Sequence, residues 1–253
     1  MFPITNLHKK SKRFVIIFSH SINFVNNKAY MKSILNYSSL SKKYVMAVAG
    51  IFLMTFLVIH LAINLCLLRD DGGEWFNAAA HFMGTNYIIK FFEIFLFLGI
   101  LIHALLGVVL QIQNWRARPV AYKSSAKSTT SFFSKYMIYT GIVVFVFLII
   151  HFMNFYFIKV GLVESPVALI EGEPDFYSIS QLLFANTAYS VLYIILITVL
   201  GFHLNHAFQA AFQSLGLNHP VYTPLIKKFA TVYSIVIVIG FNIIPFYFLF
   251  CNA

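Results

Sequence analysis

Four histidines lie singly within four different long apolar segments, and they are the residues whose chemistry is easiest to identify. They are His60 in FLVIHLAINL, His103 in LGILIHALLG, His151 in FLIIHFMNFY and His203 in TVLGFHLNHAF. An imidazole in hydrocarbon has two ring nitrogens that need partners, so each histidine is a candidate ligand or proton carrier. Any one of them alone is explained equally well as a packed histidine hydrogen-bonded to a backbone carbonyl.

The segments that carry these histidines are long and apolar enough to cross a membrane. Soluble proteins have about 25% charged residues, whereas 10% of these 253 residues are charged and 60% are hydrophobic. A helix needs about 20 apolar residues to cross about 30 Å of hydrocarbon, and the alternating pattern of a β-barrel is not seen. The sequence predicts an all-α integral membrane protein, a five-helix transmembrane bundle with spans near residues 44–68, 87–112, 133–158, 186–213 and 229–251.

The chain has a net charge of +10, and its charged residues are distributed among the loops in an alternating pattern. Lysines and arginines precede the first span, fill the loop between the second and third spans, and precede the fifth, whereas the other two loops are acidic. Because Lys and Arg mark cytoplasmic loops, the N-terminus is predicted to be cytoplasmic and the C-terminus periplasmic. The basic charge is thereby explained by topology, and nucleic acid is not expected as a partner.

The first thirty residues differ from the rest of the chain. They are basic, and their apolar run is shorter than the roughly 7–15 residues of a signal-peptide core. We expect either that translation begins at Met31 or that residues 1–30 are a disordered cytoplasmic extension. Residues 31–253 are predicted to form the five-helix domain.

The depth of each histidine in the membrane sorts the four into two pairs. At a rise of 1.5 Å per residue, His60 and His151 lie roughly 24 and 21 Å from the cytoplasmic face, and His103 and His203 each lie roughly 13 Å from it. We call them the 60/151 pair and the 103/203 pair. Two imidazoles at one depth are the axial ligands that a b-type haem requires, so the sequence predicts two bis-histidine haems. With both axial positions filled, such a haem carries electrons and offers no open position to a substrate.

Other residues bear on this assignment. No CxxCH motif is present, which excludes covalent haem attachment, and two cysteines are too few for an iron–sulfur cluster within the chain. His206 shares a helix face with His203 but lies nearer the cytoplasm by about 4.5 Å. We therefore assign His203 as the ligand and His206 as a group near a haem propionate or the lipid interface.

Three segments carry a resemblance to a known family: SSLSKKYVMAVAGIFLMTFLVIHLAINL, HALLGVVLQIQNWRARPVAY and GFHLNHAFQAAFQSLGLNHPVYTP. They resemble the single-chain di-haem cytochrome b subunit of succinate:quinone oxidoreductases, the succinate dehydrogenase and fumarate reductase group. NWRARPVAY and the FH…LGLNHP segment are the more specific parts, and the resemblance extends over residues 31–253.

The resemblance implies a multi-pass subunit of the bacterial cytoplasmic (inner) membrane that serves the tricarboxylic acid cycle without carrying the catalytic head. It would anchor a flavoprotein and an iron–sulfur protein on the cytoplasmic face. His103 and His203 would hold the proximal haem b, and His60 and His151 the distal one. Electrons from succinate would pass through both haems to a quinone, often menaquinone, bound near the distal haem.

Further site residues follow from the same resemblance or from their positions. Arg116 and Arg118 follow the second span, where one of them is expected to reach a propionate of the proximal haem. The quinone candidates are Glu93, Glu74 and His81, together with Asp70 and Asp71. Glu93 is the one acid clearly within a span, and an ion pair with Lys90 one turn away is the alternative explanation for it. Some fumarate reductases have a proton-carrying glutamate where this chain has Gly201, so that proton path is not expected here. No catalytic residue is assigned.

Two other functions stay open at this point. One is the di-haem cytochrome b anchor of another respiratory dehydrogenase or hydrogenase, which would have the same haems but different partners. The other is a haem-free proton-coupled transporter that uses the histidines and Glu93 as a relay. Such transporters have broken helices and inverted repeats, whereas here Pro245 alone interrupts a span and no repeat is evident.

Overall fold

The computed structural model describes residues 39–116, 137–170 and 172–251. Backbone contacts divide the chain into two units after Lys42, and the four histidines lie in the unit that begins at Lys43. Within the described ranges, five helices are long and apolar enough to cross a membrane: Leu40–Leu68, Tyr87–Arg116, Met137–Lys159, Thr187–Ser214 and Tyr222–Phe250. The predicted five-helix membrane bundle is confirmed, and the orientation of the termini stays a prediction. The proposed extension at residues 1–30 and Arg118 lie outside the described residues.

Two spans are not uniform α-helices. The first is an α-helix over Ser39–Asn64 that tightens into a 3₁₀ turn over Leu65–Leu68. The third is an α-helix over Met137–His151, followed by a π-helical turn over Phe152–Tyr156 and a last α-helical turn over Phe157–Lys159. The π-helical turn begins directly after one of the four histidines.

The fifth span begins at Tyr222, earlier than the predicted residue 229. The prediction placed Lys227 and Lys228 outside the helix, but long basic side chains can extend to water from within a terminal turn. Pro224 lies in the first turn of this helix. Proline has no backbone N–H, and none is needed there because N–H groups in the first turn have no partner within the helix. The helix therefore begins before the apolar segment does, and hydropathy does not mark its first residue.

Two short helices, absent from the sequence prediction, lie in the loops at one end of the bundle. The first cap helix, Glu74–Thr85, joins the first and second spans, and the second cap helix, Phe176–Ala185, joins the third and fourth. A two-stranded hairpin pairs Leu169–Ile170 with Glu173–Pro174 just before the second cap helix. We call this the cap end of the bundle, and the opposite end, where Arg116, Lys227 and Lys228 lie, the basic end.

A polar contact joins the two cap helices. Asn77 donates a hydrogen bond to Asp175 at 2.7 Å and accepts one from the backbone N–H of Tyr177 at 3.1 Å. Asp175 also caps the second helix by accepting from the N–H of Ser178 at 3.1 Å. Partial burial raises the pKa of Asp175, but the hydrogen bonds from Ser178 and Asn77 outweigh it and hold this pKa below its ordinary value. The ionised carboxylate therefore stabilises the cap.

The core is formed mainly by the first, fourth and fifth spans together with the cap. One cluster of buried side chains lies between the three spans and comprises Ala47, Met54, Leu61, Leu200, Leu204, Ala211 and Ile237. A second lies under the cap helices and comprises Leu67, Phe76, Phe184, Tyr193, Ile197, Ile244 and Phe248. Of the described residues in the second and third spans, only Leu110 and Ile158 are buried.

Gly201 lies where the fourth and fifth spans pack together. A Cβ atom at this position would collide with a methyl group of Val238 in the fifth span, so Val238 or the backbone would have to shift to admit even alanine. A glutamate at residue 201 would require a larger rearrangement of this packing.

Candidate functional site: two histidine pairs

The 103/203 pair connects the second span with the fourth. The ring centroids of His103 and His203 are 6.3 Å apart, and their planes meet at 75°. Two imidazoles that bind opposite sides of one metal ion, with metal–nitrogen distances of about 2 Å, have centroids roughly 6 Å apart. The separation of these two rings therefore matches that of two ligands on one metal.

The 60/151 pair connects the first span with the third, nearer the cap end. Its ring centroids are 5.8 Å apart with an interplanar angle of 85°. Histidines from four different spans thus meet two by two, in the same combinations that their depths predict.

Aromatic side chains surround the 60/151 pair. Phe56 stacks on His60 with centroids 5.2 Å apart, and Phe241 of the fifth span lies 5.6 Å from the same ring. Phe155 lies 5.1 Å from His151. Aromatic contacts of this kind contribute about 0.5–1.5 kcal/mol each beyond their buried area, so they hold both imidazoles in place.

Glycines accommodate the 103/203 pair instead. A Cβ atom on Gly50 of the first span would lie 3.4 Å from Cε1 and 3.6 Å from Nδ1 of His103. A Cβ atom on Gly141 of the third span would lie 3.5 Å from Cε1 and 3.9 Å from Nδ1 of His203. The Nδ1–Cε1 edge of each ring therefore packs against a glycine, where a larger side chain would displace the imidazole.

The Nδ1 atoms of the four histidines have different environments. Thr140 Oγ1 lies 3.3 Å from Nδ1 of His203, and Asn64 Nδ2 lies 3.4 Å from Nδ1 of His60 while donating to the His60 carbonyl at 2.7 Å. In the described part of the chain, Nδ1 of His103 and of His151 is buried without a hydrogen-bond partner. The Met46 carbonyl lies near the ring of His103 but is not a hydrogen-bond partner of its Nδ1.

These features fit a haem better than a metal bound by protein alone. Within residues 39–116, 137–170 and 172–251, no three His, Cys, Asp or Glu side chains come together as a protein-only metal site requires. A haem needs only two axial protein ligands, since the macrocycle supplies the rest. The two pairs of facing rings are compatible with that ligation.

A polar cluster within the spans lies between the 60/151 pair and the cap end. Glu93 of the second span accepts hydrogen bonds from Tyr156 Oη and from Lys159 Nζ, each at 2.8 Å. The ion pair expected with Lys90 is therefore wrong, because the partner comes from the facing third span. We call Glu93, Tyr156 and Lys159 the Glu93 cluster.

The π-helical turn after His151 contains Asn154 and also Tyr156 of the Glu93 cluster. It extends from Phe152 to Tyr156 and includes Asn154, which donates to Tyr193 Oη at 2.9 Å. Such turns frequently occur at functional sites. Neither this turn nor the contacts of Thr140 and Asn64 could be predicted from the sequence, because a single threonine or asparagine in an apolar segment does not indicate which residue it contacts.

The remaining predicted site residues are more peripheral. Glu74 and His81 are both exposed on the first cap helix. Arg116 is exposed at the end of the second span, about 20 Å along the helix axis from His103. Half-buried His206 lies one turn beyond His203. Asp70 is exposed, whereas Asp71 pairs with Arg69 at 2.9 Å.

Comparison of the chain with models of protein families, with curated proteins and with solved structures gave no match. The functional assignment below therefore depends on the residues of this chain and on their geometry.

Proposed function

We propose that the chain is the membrane anchor and electron-transfer subunit of a succinate:quinone oxidoreductase in a bacterial cytoplasmic membrane. The observation that supports this most is the meeting of four histidines from four spans in two pairs, with ring centroids 5.8 and 6.3 Å apart. When bound by these pairs, two haems b would supply one-electron transfer between an iron–sulfur subunit and a quinone.

The chain itself would bind the two haems, orient the imidazoles that ligate them and exclude water from both sites. Each histidine pair would supply the two protein ligands of one haem, which suits electron transfer and not substrate binding at the metal. The aromatic rings around the 60/151 pair and the glycines beside the 103/203 pair restrict how the imidazoles can rotate. Ligand identity, burial and hydrogen bonding at these positions are the means by which a protein tunes a haem potential.

The basic end supports the proposed partners. Described basic residues at this end include Lys43, Arg116, Lys227 and Lys228. A basic surface attracts an acidic protein surface by charge complementarity and also binds anionic lipid. We propose that an iron–sulfur subunit docks here and bridges the chain to a flavoprotein that oxidises succinate. From their positions in the sequence, Arg116 and Arg118 are proposed as partners of a propionate of the proximal haem, with His206 near it.

The Glu93 cluster is the most suitable quinone site among the predicted candidates. Glu93 is the only acidic residue in the five described spans, whereas Glu74 and His81 are exposed outside them. Tyr156 and Lys159 are hydrogen-bond donors that suit a quinone carbonyl, and the Glu93 carboxylate can accept a proton and release it. We propose that a quinone, such as menaquinone, binds beside this cluster near the 60/151 pair.

The decisive experiment is purification of the chain with its native partners from its own membrane. We expect about two non-covalent haems per chain by the pyridine haemochrome assay, together with a flavoprotein, an iron–sulfur protein and succinate-dependent quinone reduction. A haem-free preparation would contradict every electron-transfer function. Two haems with different partners and no succinate oxidation would instead indicate the anchor of another dehydrogenase or a hydrogenase.

A further inference from the structure

A threonine of the third span contacts the 103/203 pair, although the third span supplies its own histidine to the other pair. Thr140 Oγ1 lies 3.3 Å from Nδ1 of His203, and the ring of His203 rests on the adjacent Gly141. The dipeptide Thr140–Gly141 therefore provides both a polar contact and the space that the imidazole occupies.

The direction of this hydrogen bond follows from the other contact of the threonine. The Thr140 hydroxyl has a single hydrogen, which it donates to the carbonyl oxygen of Met137 at 2.9 Å. Only lone pairs of Oγ1 are left for His203, so the imidazole must be the donor. Nδ1 of His203 thus carries the proton, and Nε2 has the lone pair that can bind a metal.

We propose that Thr140 is a positioning residue for His203. By accepting the Nδ1 proton it holds one tautomer and one ring orientation, with Nε2 free to ligate, and it increases the electron density that the imidazole donates. This inference depends on the proposed function, because it assigns a role towards the haem that the 103/203 pair would hold.

The other three histidines differ from His203 in this respect. Asn64 presents an amide nitrogen, which is a donor, to Nδ1 of His60. Nδ1 of His103 and of His151 has no hydrogen-bond partner within the described residues. An effect of Thr140 is therefore expected at one haem and not at the other.

The test compares three substitutions in the purified haem-containing complex. Thr140→Val removes the acceptor at nearly constant volume, and Thr140→Ser retains the hydroxyl. Thr55→Val is the matched control, because the Thr55 hydroxyl donates to its own helix, to the Ile51 carbonyl, on an exposed face. The two haem potentials are measured by redox titration, the low-spin ferric signals by electron paramagnetic resonance, and haem loss by transfer to an apo-globin.

We expect Thr140→Val to raise the potential and change the ferric signal of only the haem that His203→Ala removes. That haem should also dissociate about 10-fold faster, which is the lower range for loss of a partner that orients a metal ligand. Thr140→Ser and Thr55→Val should resemble the unsubstituted chain.

Unchanged potentials and signals in Thr140→Val would overturn the inference, as would equal effects of Thr140→Val and Thr140→Ser, which indicate packing alone. If Thr140→Val fails to assemble, Thr140→Ala provides the same comparison with a smaller side chain. A haem-free unsubstituted protein would contradict the proposed function instead, so the two failures are distinguishable.

Discussion

The two histidine pairs have the same residue types but opposite surroundings. The 60/151 pair is enclosed by aromatic rings and lies nearer the cap end, where the second buried cluster lies. The 103/203 pair rests on Gly50 of the first span and Gly141 of the third. Aromatic side chains pack around the rings of the 60/151 pair, whereas glycines leave the space that the rings of the 103/203 pair occupy.

The same residue type is thus placed in two different environments within one bundle. Burial and hydrogen bonding around an imidazole ligand are means by which a protein tunes a bound metal, so the two proposed haem sites should differ in their properties. We expect the two pairs to respond differently to substitutions at and around them, and four kinds of substitution, in order of decreasing effect, test the comparison.

Removal of a ligand should have the largest effect. Replacement of His103 or His203 by Ala should reduce the haem content from about two to about one per chain, and replacement of His60 or His151 should remove the other haem. The haemochrome assay and low-temperature absorption spectra measure this. His206→Ala is the control, and it should retain both haems. Loss of a haem in His206→Ala with retention of both in His203→Ala would show that the ligand on the fourth span is assigned wrongly.

Addition of a side chain beside the 103/203 pair should abolish only that site. Gly50→Leu would fill the space against the His103 ring, and we expect one haem to be lost while the spectrum of the 60/151 site is retained. Gly50→Ala is the matched control, since its Cβ would be in ordinary van der Waals contact, 3.4 Å from His103 Cε1. Full haem content in Gly50→Leu would mean that this glycine does not position His103.

Loss of the carboxylate in the Glu93 cluster should affect quinone turnover and leave haem content unchanged. Because a positioned acid or base typically contributes about 100-fold or more, Glu93→Gln should decrease succinate-dependent quinone reduction by about that factor. Succinate oxidation by an artificial dye acceptor should persist, which separates a quinone defect from failed assembly. Glu74→Gln serves as the comparison, and a larger loss in Glu74→Gln would move the quinone site to the first cap helix.

Weakening of the cap should have the smallest effect. Asp175→Ala removes the N-cap of the second cap helix and its bond to Asn77, and such a loss costs about 1 kcal/mol. We expect lower hydrogen-exchange protection of residues 176–185 and a small change in the spectrum of the 60/151 site alone. Glu173→Ala, at an exposed residue two positions earlier, is the control, and equal effects of the two variants would contradict this role.

The same carboxylate predicts a pH dependence. The pKa of Asp175 is lowered in the folded protein, so its stabilising contribution is complete above the unfolded value of about 3.9 and is lost as the pH falls through the lower folded value. Hydrogen-exchange protection of the second cap helix, corrected for the intrinsic exchange rate, should therefore decrease below about pH 4 in the native chain. Asp175→Ala should lack this dependence.

Much of the fold follows from the sequence, because a bilayer restricts what a chain can do. Backbone groups in hydrocarbon must be paired within each helix, so apolar segments of sufficient length could be assigned as spans directly. The second cap helix, Phe176–Ala185, was missed because it is apolar but shorter than a span. The start of the fifth span was misplaced because hydropathy does not distinguish a polar helical turn from a polar loop.

The sequence alone determined the five spans and the combination of histidines by depth, since the helical rise converts residue number into distance along a span. Tertiary structure decided everything that depends on how the helices are rotated and which neighbour each one faces. It paired Glu93 with Lys159 and not with Lys90, and it placed Thr140 and Gly141 beside His203. Rotation about a helix axis depends on side-chain packing between spans, which periodicity in one segment cannot specify.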